Sequence, residues 1–164
     1  MTEEPSKEFS ALCTATGYVV IRWALIERQL DNWVMMIFRA CDGSKIRKDV
    51  PRSLKPKIEF LRKAFGKIKV LQPFKNEALN LLTQISKISE QRHDFIHGAI
   101  SKVTPEKVEF SRILYSELHH HVQHKELTAK NFQVLSDSLV ETGQRCLMLS
   151  FQMIKTIPRP KRAS

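Results

Sequence analysis

The sequence predicts a mainly α-helical protein: a helical bundle of about four long helices, with a small β-hairpin or meander inserted before the last helix. Over long segments, apolar residues recur every three or four positions, which is the spacing of an amphipathic helix. Between residues 108 and 127, apolar and polar residues alternate instead, as they do in a half-buried strand. The 164 residues include only five glycines and seven prolines, few for an all-β or low-complexity chain.

A single domain over residues 1–164 is expected, because 42% hydrophobic content at this length can build a core. The helices are predicted over residues 6–41, from Ser53 to about residue 65, over residues 74–97 and over residues 129–156, and extended runs over residues 108–114 and 118–127. Ser53 is the expected N-cap of the second helix. Gly98 is the expected C′ residue that ends the third. A basic tail covers about residues 158–164.

The first predicted helix has an unusually broad apolar face. Its main stripe is widened by a second set of apolar residues: Val20, Leu25, Trp33 and Met36. Such a face can serve both a core and a second surface, such as a dimer contact. The alternative is a helix that is buried on most sides.

Composition also bears on location and cofactors. The three cysteines form no Cys-x-x-Cys pair, which favours reduced thiols in the cytoplasm. No run of eighteen apolar residues occurs, so we expect no transmembrane helix and no membrane partner. The acidic start MTEEPSKEF lacks the apolar centre of a secretory signal. No Gly-rich phosphate loop occurs, which argues against a P-loop or Rossmann enzyme, and Ser and Cys nucleophile motifs are also missing. We expect no cofactor.

Positive charge is concentrated in one part of the chain. The net charge is +10, and residues 44–75 alone carry eleven Lys or Arg against two acidic residues. A clustered basic surface attracts polyanions such as RNA or nucleotides and makes their binding depend on salt. Lys55, Arg62 and Lys63, which lie off the apolar stripe of the second helix, are the candidate RNA-binding residues. A solvated basic face that only aids solubility is the alternative.

The segment EQRHDFIHG, residues 90–98, places charged and imidazole side chains where the third helix should continue its apolar stripe. At 100° per residue, Ile85 lies within about 20° of Arg92, so Arg92 occupies the centre of the stripe. His93 and His97 lie on one polar flank, one turn apart. A buried arginine needs a partner. Either a phosphate meets it in an open cleft, or an acidic residue pairs with it inside the bundle.

The order Arg92, His93, three further residues and His97 (RHDFIH) resembles the Arg-x4–6-His motif of the HEPN superfamily. In that family a polar residue usually follows the arginine, as His93 does here. The position of the motif at the end of a long helix of an α bundle, closed by His-Gly, is also similar. The resemblance covers the layout of most of the chain.

This resemblance implies a HEPN-like fold and a homodimer with two motifs face to face in a basic cleft. It implies a metal-independent endoribonuclease that cleaves RNA through 2′-OH attack, as in toxin–antitoxin and phage-defence systems. By the same resemblance, His97 would be the catalytic acid or base, Arg92 would contact the phosphate and His93 would support it. An antitoxin-type protein is a candidate partner. Glu27 and Asp31 on the first helix are candidates, from polarity alone, for holding Arg92.

Other HEPN proteins bind RNA, nucleotides or partner proteins without cleaving them. A non-catalytic HEPN-like RNA- or nucleotide-binding or protein-interaction module is therefore the alternative function.

A His-rich segment, LHHHVQHKE at residues 118–126, raises a third alternative, a metal-dependent protein. On a strand, His119 and His121 would share one face, and His120 and His124 the other. Zinc needs three or four converging ligands, and no cysteine or acidic pair at ligand spacing accompanies these histidines. We therefore predict no metal site and interpret them as solvated.

Overall fold

The computed structural model describes residues 6–104, 106–115 and 120–157, with only the backbone of residues 94, 95, 114, 115 and 120. Its α-helices in this part are α1 (Lys7–Ala40), α2 (Leu54–Lys67), α3 (Lys75–His97) and α4 (Ala129–Thr156). Its strands are β1 (Ala99–Val103), β2 (Lys107–Tyr115) and β3 (His120–Thr128). Short 3-10 turns cover Gly43–Lys45 and Lys69–Phe74. The mainly helical class, with a small antiparallel sheet before the last helix, is confirmed. The predicted basic tail lies outside the described residues.

The chain divides into two compact units. Unit 1 consists of Met1–Arg22 and Lys87–Leu139, and unit 2 consists of Trp23–Ser86 and Val140–Ser164. The three-stranded sheet belongs to unit 1 and α2 belongs to unit 2, whereas α1, α3 and α4 each contribute to both. That residues 1–164 form one domain stays a prediction.

The core of unit 2 is mainly aliphatic, but it includes large aromatic side chains and a buried hydrogen bond between α1 and α4. Trp33 on α1 is fully buried and meets Phe65 of α2 edge to face, with ring centroids 6.1 Å apart. Its indole Nε1–H donates to Ser150 Oγ of α4 at 2.7 Å. Ser150 Oγ also lies 2.9 Å from Gln29 Oε1. The buried indole N–H therefore has the partner that it needs away from water.

Arginine also joins helices within unit 2. Arg145 of α4 donates from Nε to Glu77 Oε1 of α3 at 3.0 Å and from a terminal nitrogen to Gln84 Oε1 at 3.2 Å. The planar guanidinium suits such a fork, because its donors point in fixed directions. The residues are half exposed, so the ion pair contributes modestly to stability.

The residues of the second apolar set of α1 differ in their burial. Trp33 is part of the core, whereas Val20 and Leu25 are 41% and 47% exposed. By length and composition, α1 could also cross a membrane, since an 18-residue window has a mean hydropathy of 1.5 with 22% of it buried. A helix that lines a protein core passes the same test, so the expectation that no helix crosses a membrane stays a prediction.

The sheet of unit 1 is an antiparallel meander in the order β1-β2-β3. Its first strand was not predicted, because AISKV has no clean alternation and follows the helix directly. Backbone pairing is irregular between Ile100 and Lys102 of β1. The β1–β2 turn closes at Thr104, whose N–H donates to the Lys107 carbonyl. The first strand begins at Ala99, two residues after the RHDFIH segment ends.

One face of the sheet, which we call the outer face, carries charged side chains near the β1–β2 turn. Glu109 of β2 stands directly opposite Glu126 of β3, a pairing that would be repulsive by itself. Lys107 Nζ lies 3.0 Å from Glu109 and 2.6 Å from Glu126. The hydrogen bond from Lys107 lowers the pKa of Glu109. The opposite, inner face carries Phe110, which is 6% exposed.

Two helix ends lie where the sequence predicts them but lack the expected capping geometry. Ser53 precedes α2 as predicted, but its side chain makes no capping hydrogen bond. α3 ends at His97 as predicted, yet no described glycine has a positive φ, so Gly98 does not act as a left-handed cap. The left-handed residue is Asp42, at φ 54°, after α1. The chain after His97 passes directly into β1, which removes the need for a reversal at Gly98.

A glycine pair tests the packing at the end of α1. A Cβ at Gly43 would stand 2.9 Å from the Phe38 Cα, and this contact is with backbone that cannot rotate away. We expect Gly43→Ala to lower the free energy of unfolding by about 1–3 kcal/mol. Gly17, inside α1, has nothing within 4 Å, so Gly17→Ala should raise it by up to about 1 kcal/mol. Urea unfolding of both variants checks this, and equal stability of Gly43→Ala and wild type would contradict it.

Cys146 provides a second test, through its ionisation. Burial raises the pKa of its thiol to about 12 from the ordinary 9.0. Because the pKa of Cys146 is higher in the folded state, the thiol adds nothing to the pH dependence of stability below about pH 9.0. As the pH rises from 9.0 towards 12, the unfolded chain loses this proton first, and the free energy of unfolding falls. At about pH 8 we expect iodoacetamide to modify the exposed Cys13 and spare Cys146 until the chain unfolds, because the thiolate is the reacting form. Mass spectrometry of the alkylated peptides measures this, and equal labelling of the two thiols in the folded protein would contradict it.

Candidate functional site

The end of α3 carries the predicted catalytic residues within unit 1. Ile88, one turn before Arg92, is buried, so the apolar stripe reaches that point. Arg92 and His93 are half-buried, and Arg92 Nε is shielded from solvent. His97, in the last turn, is exposed. Between Ile88 and His97, over about two and a half turns, the helix thus changes from a core element to an accessible polar end.

His93 and His97 are in direct contact. Their ring centroids are 4.5 Å apart, and the ring planes are inclined by 49°. An i,i+4 spacing on a helix brings side chains together in this way. Two imidazoles at this distance can serve one reaction centre, one accepting a proton and the other donating one. Arg92 and His93 each also interact with other groups of the chain.

A polar cavity opens beside His93. It has a volume of about 390 Å³ and lies between α3 and the inner face of the sheet. Its lining residues are Ser89, Glu90 and His93 of α3, Arg112 of β2, and Gln123 and Lys125 of β3. These side chains include two permanent cations, one carboxylate and several neutral donors. The cavity can therefore receive an anion such as a phosphate.

Arg112, Gln123 and Lys125 were not among the residues predicted from sequence. Arg112 pairs with Gln123, and Phe110 pairs with Lys125, so all four side chains share the inner face. The alternation along β2 was visible in the sequence and places Arg112 with Phe110. The pairing that adds Gln123 and Lys125 depends on the β2–β3 register, which the sequence pattern did not specify.

The proposed supports of Arg92 lie in unit 2. Asp31 of α1 makes an ion pair with Lys57 of α2, whose side chain is only 12% exposed. Glu27 is half-buried. A role of either residue in holding Arg92 stays a prediction.

The predicted RNA-binding residues on α2 also belong to unit 2. Lys55 and Lys63 are exposed, whereas Arg62 is half-buried and donates to Thr83 Oγ1 at 2.9 Å. The two lysines are therefore accessible to a polyanion, whereas the guanidinium of Arg62 already donates a hydrogen bond to α3. RNA binding by this surface stays a prediction.

The His-rich segment is described only in part. His121 and His124 are exposed and lie on opposite faces of β3, and His119 lies outside the described residues. Within the described part of the chain, no group of three or more His, Cys, Asp or Glu side chains could hold a metal ion. The side chain of His120 is not described, so the absence of a metal site stays a prediction.

No protein-family model, curated protein or solved structure matches this chain. That the chain resembles HEPN proteins stays a prediction, which rests on RHDFIH and on the helical layout around it.

Proposed function

We propose that this protein is a HEPN-like, metal-independent endoribonuclease. The observation that carries the proposal lies at the end of α3, where the imidazoles of His93 and His97 are in contact, Arg92 precedes His93 in the chain, and His93 lines a cationic cavity. This set provides what metal-free RNA cleavage needs: a proton acceptor, a proton donor and a cation for the phosphate. The proposal includes the cytoplasmic toxin or phage-defence setting and the antitoxin-type partner that the family resemblance implies.

The chemistry assigns a role to each residue of the motif. A base removes the proton of the ribose 2′-OH, the 2′ oxygen bonds to phosphorus, and the bond to the 5′ oxygen breaks. An acid protonates that leaving oxygen, which yields a 2′,3′-cyclic phosphate and a 5′-OH. We assign the acid/base role to the accessible His97, and His93 supports it across the 4.5 Å ring contact. Arg92 stabilises the negative charge that builds up on the phosphate, which its fixed charge suits.

A non-catalytic RNA- or nucleotide-binding module is the second candidate. The cavity favours it, because Arg112 and Lys125 can hold a phosphate whether or not His97 acts. A ribonuclease assay separates the two functions, since only the first predicts a product.

Cleavage of single-stranded RNA in EDTA tests the proposal. We expect wild-type protein to yield 2′,3′-cyclic phosphate ends, with no loss of activity on chelation. Arg92→Ala and His97→Ala should each reduce kcat/KM by at least about 100-fold, as loss of a proton-transfer or charge-stabilising group does. His124→Ala, which removes an exposed imidazole on the outer face, is the matched control and should retain activity.

A substrate with 2′-deoxyribose at the cleavage position sharpens this assay, because it lacks the attacking hydroxyl and should not be cut. Undiminished cleavage by the Arg92 or His97 variant, or none by wild type across varied RNA sequences, would contradict the ribonuclease.

The homodimer is a further part of the proposal, and α4 supports it. Its exposed apolar row is Leu147, Met148, Phe151 and Ile154, which are 43%, 60%, 53% and 61% exposed. These residues lie within about 120° on the helix, away from the side that carries Cys146 and Met153. A continuous exposed apolar row commonly marks an interaction surface.

Sedimentation analysis of a charge variant tests the dimer. We expect wild type to sediment as a dimer and Phe151→Glu as a monomer, because a carboxylate at the centre of the row is costly to bury. Gln152→Glu places the same charge on the adjacent exposed residue and should remain dimeric. A monomeric wild type, or an unaltered Phe151 variant, would contradict this role of α4.

A further inference from the structure

The inner face of the sheet changes character along its length. Near the β1–β2 turn it is apolar, with Val108 and Leu127 paired and Phe110 buried beside them. Further along, the paired residues are Arg112 and Gln123. A sheet face that packs against helices is normally apolar throughout, because polar groups there need partners. The polar half faces the 390 Å³ cavity.

The two cations of this face are placed to act together. Lys125 is two residues from the partner of Arg112 on the adjacent strand, so the two are diagonal neighbours. Diagonal neighbours on one face are about 7–8 Å apart at the backbone, within reach of long side chains. Both can therefore approach one anion in the cavity, with the Ser89 hydroxyl and the Gln123 amide as additional donors.

Arg112 and Lys125 each carry several donors, so each can bind an anion as well as a group of the fold. Arg112 and Lys125 both interact with other groups of the chain, and Glu90 lines the same cavity. A guanidinium has five N–H donors and an ammonium three, so a single partner does not exhaust either group. The lining carries two fixed positive charges against one carboxylate, which leaves it net positive.

The lining also indicates which part of a nucleic acid the cavity would contact. Apart from the imidazole of His93, its described residues include no aromatic ring on which a base could stack. Arginine, lysine, serine and glutamine side chains commonly contact phosphate oxygens, which set position without reading sequence. The chemistry therefore favours a backbone phosphate over a base.

We propose that this cavity is a phosphate subsite, in which Arg112 and Lys125 hold an RNA backbone phosphate adjacent to the one that is cleaved. The inference rests on the proposed function for the position of the cut. His93 joins the two sites, because it lines the cavity and contacts the ring of His97 at 4.5 Å. Arg112 and Lys125 act here as positioning residues that orient the strand at the catalytic end of α3.

Binding is measured in the His97→Ala background, so that the result does not depend on cleavage. The probe is a fluorescein-labelled single-stranded RNA, followed by anisotropy over a range of KCl concentrations. Adding Arg112→Gln and Lys125→Gln together should weaken binding by about tenfold or more. It should also flatten the plot of log K against log salt by about 0.7 for each RNA phosphate that the protein no longer neutralises.

The matched control removes the same charge elsewhere in unit 1. Lys87 of α3 and Lys102 of β1 are exposed and do not line the cavity. Lys87→Gln combined with Lys102→Gln should change affinity much less than the cavity pair. Equal weakening by the two pairs would overturn the subsite and leave a diffuse basic surface as the explanation.

A measurement on the chain without changes in the cavity guards against misfolding of the double variant. Lys125 is exposed, so an acylating reagent should modify it, and bound RNA should protect it at least severalfold more than Lys102. Equal labelling of Lys125 with and without bound RNA would overturn the proposal. Arg112→Lys, which keeps the charge but removes the fork, should retain intermediate affinity.

Steady-state cleavage separates the subsite from the catalytic assignment. With otherwise wild-type protein, Arg112→Gln/Lys125→Gln should raise KM with little change in kcat, because a remote phosphate contact acts on ground state and transition state alike. Failure of wild type to cleave RNA would remove the ribonuclease but leave the binding and protection results to decide the subsite. Binding of inorganic phosphate with no tighter binding of RNA would overturn it in favour of a small anion ligand.

Discussion

The register of β2 against β3 is the constraint on which the chemistry of unit 1 depends. Pairing Phe110 with Lys125 and Arg112 with Gln123 puts an apolar anchor and three polar side chains on one face. Because side chains alternate strictly along a strand, a slip of one residue in either strand would turn that strand's members of this set outward. The burial of Phe110 opposes such a slip. On the outer face, Lys107 between the two glutamates favours the same register. The polar cavity is therefore a consequence of how the sheet is anchored.

The second constraint is the change in character along α3. The same helix supplies buried residues to a core and, one turn after Ile88, an arginine whose Nε is shielded while part of the side chain remains accessible. Such a position restrains the guanidinium. A phosphate-binding role requires this restraint, but a structural ion pair would produce it too. The contact between His93 and His97 follows from their i,i+4 spacing, whichever role Arg92 has. That the end of α3 is catalytic therefore stays a proposal, which the ribonuclease assay tests.

Much of the fold was predictable because periodicity is a local property. The apolar spacing placed α1 and α4 within one residue of their observed ends, since a helix needs the same face buried over many turns. It could not foresee β1, whose five residues are mostly exposed and show no alternation. Nor could it divide the second apolar set of α1, where Trp33 is buried and Leu25 is exposed. Which residues of a broad apolar face are buried depends on the segments that pack against that face. The spacing of apolar residues along the helix does not specify those segments.

The candidate site, like the fold, could be predicted from the sequence only in part. The sequence by itself determined that Arg92 interrupts an apolar stripe and that His93 and His97 are one turn apart, because both follow from 100° per residue. Only the tertiary structure decided that His93 lines a cavity and that Arg112, Gln123 and Lys125 form its other wall. Those residues lie nineteen or more positions from His93 in the chain. The register of β2 against β3 and the packing of the sheet place them beside His93. Both depend on contacts between distant segments, which the local sequence pattern does not specify.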